Sequence, residues 1–403
     1  MRYKLLNRIC PICQNKSGGI LHNLQFTLPK NQNMLPDSYD IVSCQNCGFI
    51  FADTSATQDD YFQYYNKCSK YEDKKISSGT GLAAWDILRF EKTASEIEKV
   101  IKNKKSAILD VGCANGGLIN ALKSLDYTNL SAMDPSPKCV SYVRKKYNIE
   151  AFCGEISTLK MQLKDKSIRN RFDCLILANV FEHILDLQVT MKNLSLLLKK
   201  DGHIYVEVPD ASRYIDYFSV PFYYFDCEHI NHFDQYSLKN MAIQNNYYQI
   251  YCRKNIVEMS KRVKYPVIHG FYRKFSSGKW TKGITPNFKT QNKMIKYIEK
   301  SQNAQNYPEI EKLKLSQEKI IVWGAGSYTI RLLKNSPLGK CNIVAFVDND
   351  TKKQGSLLDN IKICNPVILK KHDGPIVICA VSFSQDIIKQ IKNMKMKNRI
   401  IAL

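Results

Sequence analysis

Short apolar runs that end in an acidic residue or a glycine turn recur along the chain, and they mark out its elements. Residues 108–119 read ILDVGCANGGLI, where an apolar run reaches Asp110 and then breaks into Gly112, Gly116 and Gly117. The pattern predicts a buried strand, a tight turn and the start of a helix, with room for a ligand to approach the main chain. Residues 130–135, LSAMDP, form a second short strand ending in Asp134, and residues 172–186, FDCLILANVFEHILD, a third that switches to polar residues. A helix rich in Leu and Lys follows, then a DG turn and another strand in residues 201–210, DGHIYVEVPD. Near the far end, KIIVWGAG (319–326), NIVAFVDNDTKKQG (342–355) and the apolar run 375–381 repeat the scheme of strand, glycine turn, helix and acid-ended strand. The connection from Asn255 to Gln317 is polar and basic, with a helix expected around Thr290–Ser301, and reads as a bridge between domains.

Composition narrows the class. The chain has 403 residues, 44% of them apolar, enough for two or three domains with real cores. No apolar stretch reaches the roughly eighteen residues of a membrane span, and MRYKLLNRICPIC has no apolar signal region, so a soluble, cytoplasmic protein is expected. Cysteines such as Cys113, Cys174, Cys341 and Cys379 lie in or beside apolar runs, where a reduced thiol acts as a small hydrophobe, which fits a reducing compartment. The net charge of +22 raises the question of nucleic acid, yet the lysines are spread along the chain. Only Arg253–Lys300 is enriched, through Lys261, Arg262, Lys264, Arg273, Lys274, Lys279 and Lys282. That stretch is either a solvated surface or a contact for phosphates of a nucleotide-linked substrate.

Cys10-Pro-Ile-Cys13 and Cys44-Gln-Asn-Cys47 are two CxxC knuckles, and Gly48 suits the turn after the second. Together they offer four thiolates to one tetrahedral Zn2+, which predicts a closed, structural site standing in for a core too small to fold alone. A redox role is the weaker alternative, because two spaced copies lie on a loop-rich segment. The aromatic cluster DDYFQYYNKCSKY (59–71) could line a substrate cleft or form a packing seam.

The segment at Asp110 resembles motif I of class I S-adenosylmethionine (SAM) methyltransferases, and the blocks at Asp134, 172–186 and 201–210 follow in that family's order. Ala114 replaces the middle glycine of many members, which costs little if its φ is negative. The resemblance implies that Asp110, Gly112, Gly116 and Gly117 shape the SAM pocket and that Asp134 holds the ribose hydroxyls. Glu155, Asn179 and Glu182 would also line the cofactor. Over nearly its whole length the chain looks like the three-part sugar methyltransferases, best known for C-methylation of nucleotide-linked deoxysugars. The implied fold is α/β: a zinc-bound N-terminal module (1–75), a central class I Rossmann-like sheet (76–255), and a bridging helix with a second Rossmann-like domain (256–403). In the last, Asp348, Lys353, Gln354 and Gly355 resemble a segment of the domain that helps hold the nucleotide sugar in those relatives. Thr329 stands at the third glycine position of the dinucleotide fingerprint, against NAD binding.

Methyl transfer needs an electron-rich acceptor in line with the sulfonium and a base for its proton. His229, flanked by Glu228 in FYYFDCEHINHFDQYSL (222–238), is the expected base, and the resemblance implies a Glu-His pair there. His183 faces the cofactor edge in similar enzymes, and His232 is an additional candidate. Asp226 stands where that family has a Tyr, which leaves C- and O-methylation both open. The alternatives are a nucleic-acid methyltransferase and a non-catalytic SAM-binding scaffold. Against the first, ANVFEH replaces the Asn-Pro-Pro-Tyr-like block of amino-methylating enzymes.

Overall fold

The computed structural model describes residues 2–29, 34–68, 84–157, 168–258, 263–275 and 283–403. Residues 69–71 of the aromatic cluster, and Lys261, Arg262, Lys279 and Lys282 of the basic stretch, lie outside the described residues. Among the described residues no helix is long and apolar enough to cross a membrane. The chain divides into two compact units, one of Met1–His22, Asp40–Tyr217 and Glu228–Lys296, the other of Asn23–Tyr39, Phe218–Cys227 and Tyr297–Leu403.

The chain opens with strands β1 (Arg2–Leu5), β2 (Ser17–Gln25), β3 (Ser38–Cys44) and β4 (Ile50–Asp53), then helices α1 (Gln58–Cys68) and α2 (Ala84–Val100). Next come β5 (Ile108–Val111), α3 (Gly117–Lys123), β6 (Leu130–Asp134), α4 (Pro137–Tyr147), β7 (Glu150–Cys153) and β8 (Phe172–Ala178). They are followed by α5 (Leu187–Leu197), β9 (Leu198–Pro209), β10 (Asn231–His232), α6 (Gln235–Gln244), β11 (Tyr247–Glu258) and β12 (Lys264–Lys274). Local signals set the helix starts: Ser136 caps α4 ahead of Pro137, and Asp186 caps α5 through the Val189 N–H. Asp234 and Ser237 form a reciprocal capping box on α6.

The central sheet runs β11-β12-β9-β8-β5-β6-β7. Strands β5 to β9 pair in parallel, and β12 joins β9 antiparallel. The chain steps outward from β5 to β6 and β7, then returns to the other side of β5 as β8. This makes the carboxyl ends of β5 and β8 the switch point where an open α/β sheet leaves a crevice for a ligand. The N-terminal sheet runs β1-β2-β3-β4-β10, so a two-residue strand from far along the chain completes it. One apolar cluster runs from Val42, Phe49 and Phe51 through Phe181 and Phe233 to Leu175 and Leu177. The N-terminal strands therefore share the core of the central sheet instead of standing alone.

Two expectations need correction here. The basic stretch after Asn255 is not simply a bridge: β11 and β12 extend the central sheet, and Pro266–Tyr272 is buried between basic ends at Lys264, Arg273 and Lys274. Pro266 is tolerated in β12 because β9 pairing ends at Val267↔Pro209, so its missing N–H breaks no bond to β9. The second concerns Ala114, whose φ is +47°. The middle position of the turn is left-handed, where an L-residue loses about 1–2 kcal/mol relative to glycine.

The second unit includes α8 (Pro308–Ser316), which follows α7 (Lys289–Asn303), then β13 (Ile320–Trp323), α9 (Ser327–Asn335) and β14 (Ile343–Val347). The hairpin β15 (Leu357–Leu358) and β16 (Ile361–Cys364) follows, then β17 (Ile376–Ile378), α10 (Ser384–Asn393) and β18 (Ile400–Ala402). The order β15-β16-β14-β13-β17-β18, parallel apart from the hairpin, is a second Rossmann-like sheet around Ile321, Trp323, Val347 and Ile378. Its acid repeats the wiring of Asp134. Asp348 Oδ2 accepts the Ala325 N–H (2.8 Å) and Oδ1 the Asp350 N–H (2.9 Å), while Lys353 Nζ lies 3.2 Å from Oδ2. Gln354 donates to the Asp348 carbonyl (2.9 Å).

Candidate active site

The turn after β5 is held by the end of β6. Gly112 and Cys113 donate their N–H groups to the Met133 carbonyl (2.8 and 3.0 Å), and the Ala114 N–H donates to Asp134 Oδ2 (2.8 Å). Asp134 Oδ1 accepts the Ser136 N–H (2.8 Å). The ends of β5 and β6 are thus adjacent, and Asp134 holds the turn. Gly112 and Gly116 both have φ of +77°. A Cβ on Gly112 would lie 2.7 Å from the Val180 side chain, and one on Gly116 would lie 2.5 Å from the Tyr147 ring. Their role is close packing against the chain itself, not only an approach for a ligand; Gly117 begins α3.

Asp110 is buried and its pKa is pushed up to about 8, first by loss of water and then by the charge of Asp134. The folded state holds that proton more tightly than the unfolded chain, so the stabilisation is full below the usual aspartate pKa. It is lost progressively as pH rises toward 8. Asp110→Asn is expected to flatten this decline, as read from thermal midpoints between pH 5 and 8.5; an unchanged slope would show that Asp110 does not carry it. Glu155, after β7, is pushed up to about 6 by burial, opposed by hydrogen bonds from Ser157 (3.1 Å) and from Gln58 on α1 (3.0 Å). Asn179, just after β8, has φ of +56° and donates its N–H to the Glu207 carbonyl (2.7 Å), turning the chain beside Gly112.

Beyond Asn179 a short helical turn carries buried Glu182 and half-buried His183. The segment 228–232 meets it: the Ile230 N–H donates to the Glu182 carbonyl (2.9 Å), and the His183 and His229 rings lie 4.7 Å apart at 76°. His183 Nδ1 is 3.1 Å from the Glu228 carbonyl and 3.1 Å from the Tyr65 hydroxyl. A carbonyl oxygen only accepts, so Nδ1 carries the hydrogen in the neutral ring and Nε2 presents a lone pair. That nitrogen is 3.9 Å from Glu182 Oε1. The buried Glu228 carboxylate accepts from the Tyr64 hydroxyl (2.8 Å). Two residues of the aromatic cluster, Tyr64 and Tyr65 on α1, thus meet His183, Glu228 and His229 in one group.

His232 stands apart from that group. It is buried on β10, its Nδ1 is 3.5 Å from the Tyr214 hydroxyl, and burial, with the charges of His229 and Arg8, lowers its pKa to about 3. A ring so held stays neutral and is a poor proton carrier near neutral pH.

The four N-terminal cysteines converge. Cys10 and Cys47 sulfurs are 3.6 Å apart, those of Cys13 and Cys44 3.4 Å, and all four lie within 4.8 Å of one another. Zinc–thiolate bonds of about 2.3 Å in a tetrahedron put sulfurs about 3.8 Å apart, so the cluster could bind zinc. Gly48, at φ +77°, donates to the Cys44 carbonyl (2.9 Å) and closes the second knuckle.

Residues 85–251 match a family model described as a methyltransferase domain, and residues 316–402 match one described as C2185-like, N-terminal. No curated protein matches the chain. Solved structures similar to it include a protein from Pyrococcus horikoshii OT3, 16% identical with a TM-score of 0.40 over 50% of this chain and 97% of that one. Another is the 1,6-didemethyltoxoflavin-N1-methyltransferase of Burkholderia thailandensis with bound S-adenosylhomocysteine, 14% identical with a TM-score of 0.39 over 57% and 96%. A SAM-dependent methyltransferase from Methanosarcina mazei is 14% identical with a TM-score of 0.37 over 43% and 95%. The family model covers the strands and turns that build the crevice at Asp110 and Asp134. The central region is a methyltransferase domain of the class I, SAM-dependent kind, and the chain is an enzyme of that class.

Asp134→Ala is expected to weaken SAM binding by the loss of charge-assisted hydrogen bonds worth about 1.5–3 kcal/mol each. Calorimetric titration reads this, and wild-type affinity in the variant would remove Asp134 from the pocket.

Proposed function

We propose that this enzyme transfers the methyl group of SAM to a sugar, nucleotide-linked, in the cytoplasm, with His229 as the base. The observation that carries the reading is the meeting of His183, Glu228 and His229 with Tyr64 and Tyr65, just past the end of β8. In this reading Asp110, Gly112, Gly116 and Gly117 shape the SAM pocket, Asp134 holds the ribose, and Glu155, Asn179 and Glu182 line the rest. His229 takes a proton from the acceptor, either from carbon beside a keto group or from a hydroxyl. The acceptor's electron pair attacks the methyl carbon while the C–S bond breaks toward sulfur, leaving S-adenosylhomocysteine. Tyr65 and the Glu228 carbonyl fix the His183 ring, and the tyrosine rings offer stacking faces to a sugar.

Cys10, Cys13, Cys44 and Cys47 would hold zinc in a closed site whose part is structural. A sugar substrate is supported by the combination of that module, the methyltransferase core and the Asp348–Gly355 segment of a second Rossmann-like unit, which together resemble the three-part sugar enzymes. A nucleic-acid substrate has the net charge of +22 in its favour. Incubation with labelled SAM and a panel of nucleotide sugars, followed by mass analysis, tests the reading and separates a carbon-bound from an oxygen-bound methyl. Label found only on added RNA or DNA would overturn it.

A further inference from the structure

Arg8, two residues before the first cysteine knuckle, is 8% exposed. Its own N–H donates to Asp53 Oδ1 (2.7 Å), and Lys4 Nζ bridges Asp53 Oδ2 (2.7 Å), so the backbone beneath the side chain is pinned to β4. From that anchor the guanidinium grips both segments that carry the proposed chemistry. Nη2 donates to the carbonyls of Ile184 (3.2 Å) and Leu185 (2.6 Å) and to Asn231 Oδ1 (2.8 Å), and Nη1 donates to the Ile230 carbonyl (3.2 Å). Asn231 closes the joint by donating from Nδ2 to the carbonyls of Phe181 (2.8 Å) and Ile184 (2.7 Å). Glu182 and His183 immediately precede the carbonyls held on one segment, and Glu228 and His229 those held on the other.

We propose that Arg8 is a positioning residue for methyl transfer: its planar fork locks segments 181–185 and 228–232 together and so sets the separation of His183 and His229. This rests on the reading that those two segments carry the chemistry. A guanidinium suits the task because its donors lie in one rigid plane and reach several buried carbonyls at once, whereas a lysine offers one compact ammonium. Ile184 and Ile230 are buried, and their carbonyls also accept from Asn231 Nδ2 (2.7 Å) and the Ala52 N–H (2.9 Å), so Arg8 adds the bonds that tie the two segments to each other and its loss loosens that joint. Displacement of a reacting group by about an ångström costs on the order of a hundredfold in rate, so a loosened joint acts on turnover.

Arg8→Lys is the test variant. It is expected to lower kcat by about 10- to 100-fold, to leave SAM affinity by calorimetry within about twofold, and to move the imidazole signals of His183 and His229 in a 15N-histidine NMR spectrum. Asn231→Ala should do the same, and the double variant should lose less than the product of the two single losses, because both act on one joint. Wild-type kcat with unmoved imidazole signals in Arg8→Lys, or multiplicative losses in the double variant, would overturn the proposal. If Arg8→Lys does not fold, Asn231→Ala is read alone, and unmoved imidazole signals there overturn it equally. His229→Ala run in parallel separates the layers. Full turnover in that variant removes the reading of the site, whereas an inactive His229→Ala beside a fully active Arg8→Lys removes only the part given to Arg8.

Discussion

His229→Ala should bind SAM as tightly as the native protein and turn over at least about a hundred times more slowly, the usual loss when a positioned general base is removed. The two measurements separate because His229 lies in the segment after β9, whereas the turn at Asp110 and Asp134 is held by bonds of its own. His229→Gln is the sharper control: it keeps a polar side chain of similar reach but cannot take up a proton near neutral pH, so it should be as slow as the alanine variant. Single-turnover rates with a nucleotide-sugar acceptor decide, and native rates in both variants would move the base elsewhere. His183 would then be the next group to test, because its Nδ1 is fixed by the Glu228 carbonyl and its Nε2 carries the lone pair.

Removal of metal from the cysteine cluster carries the other large effect. Zinc in small structural sites binds with an apparent free energy of about 10–16 kcal/mol, as large as the whole stability of an ordinary domain. Here Cys10, Cys44 and Cys47 belong to the same apolar cluster as Leu175 and Leu177, so loss of the ion should loosen the central core as well as the knuckles. A strong chelator, or Cys44→Ser, is expected to lower Tm by more than about 10 °C. Differential scanning calorimetry with metal analysis by mass spectrometry reads both arms. A protein that carries no zinc as purified, or whose Tm ignores the chelator, would show that the four thiols hold no structural ion.

Much of this fold is written in local patterns. The runs at 108–119, 130–135 and 319–326 are the strands and turns they resemble, because an apolar run, an acid and a glycine act over a few residues. Features made by distant partners are harder to read. Strand β12 was hidden by lysines and Pro266, and its burial follows only from pairing with β9 and β11. The left-handed φ of Ala114 was hidden because alanine is a poor marker of that conformation; it is the carboxylate of Asp134 that holds the Ala114 N–H in place. Tyr64 and Tyr65 lay in a visible aromatic cluster, but only the return of residues 228–232 gives them Glu228 and His183 as partners. His232 looked much like His229 in sequence, but it lies on β10, whose two residues pair with β4 and are both buried. Arg8 carried no signal beyond its place before a CxxC pair.

The pairing of Asn231 with Phe51 and of His232 with Ile50 bears on how the molecule is made. The sheet of β1 to β4 lacks its last strand until β10, which follows β9 in the chain, has been synthesised. Closing so long a loop is slow compared with local helix formation. The first sheet is thus begun before the parallel strands β5 to β9 and closed only after them. An assembly order of this kind leaves the edge of β4 waiting as an open template, and the cell must shield it until its partner emerges.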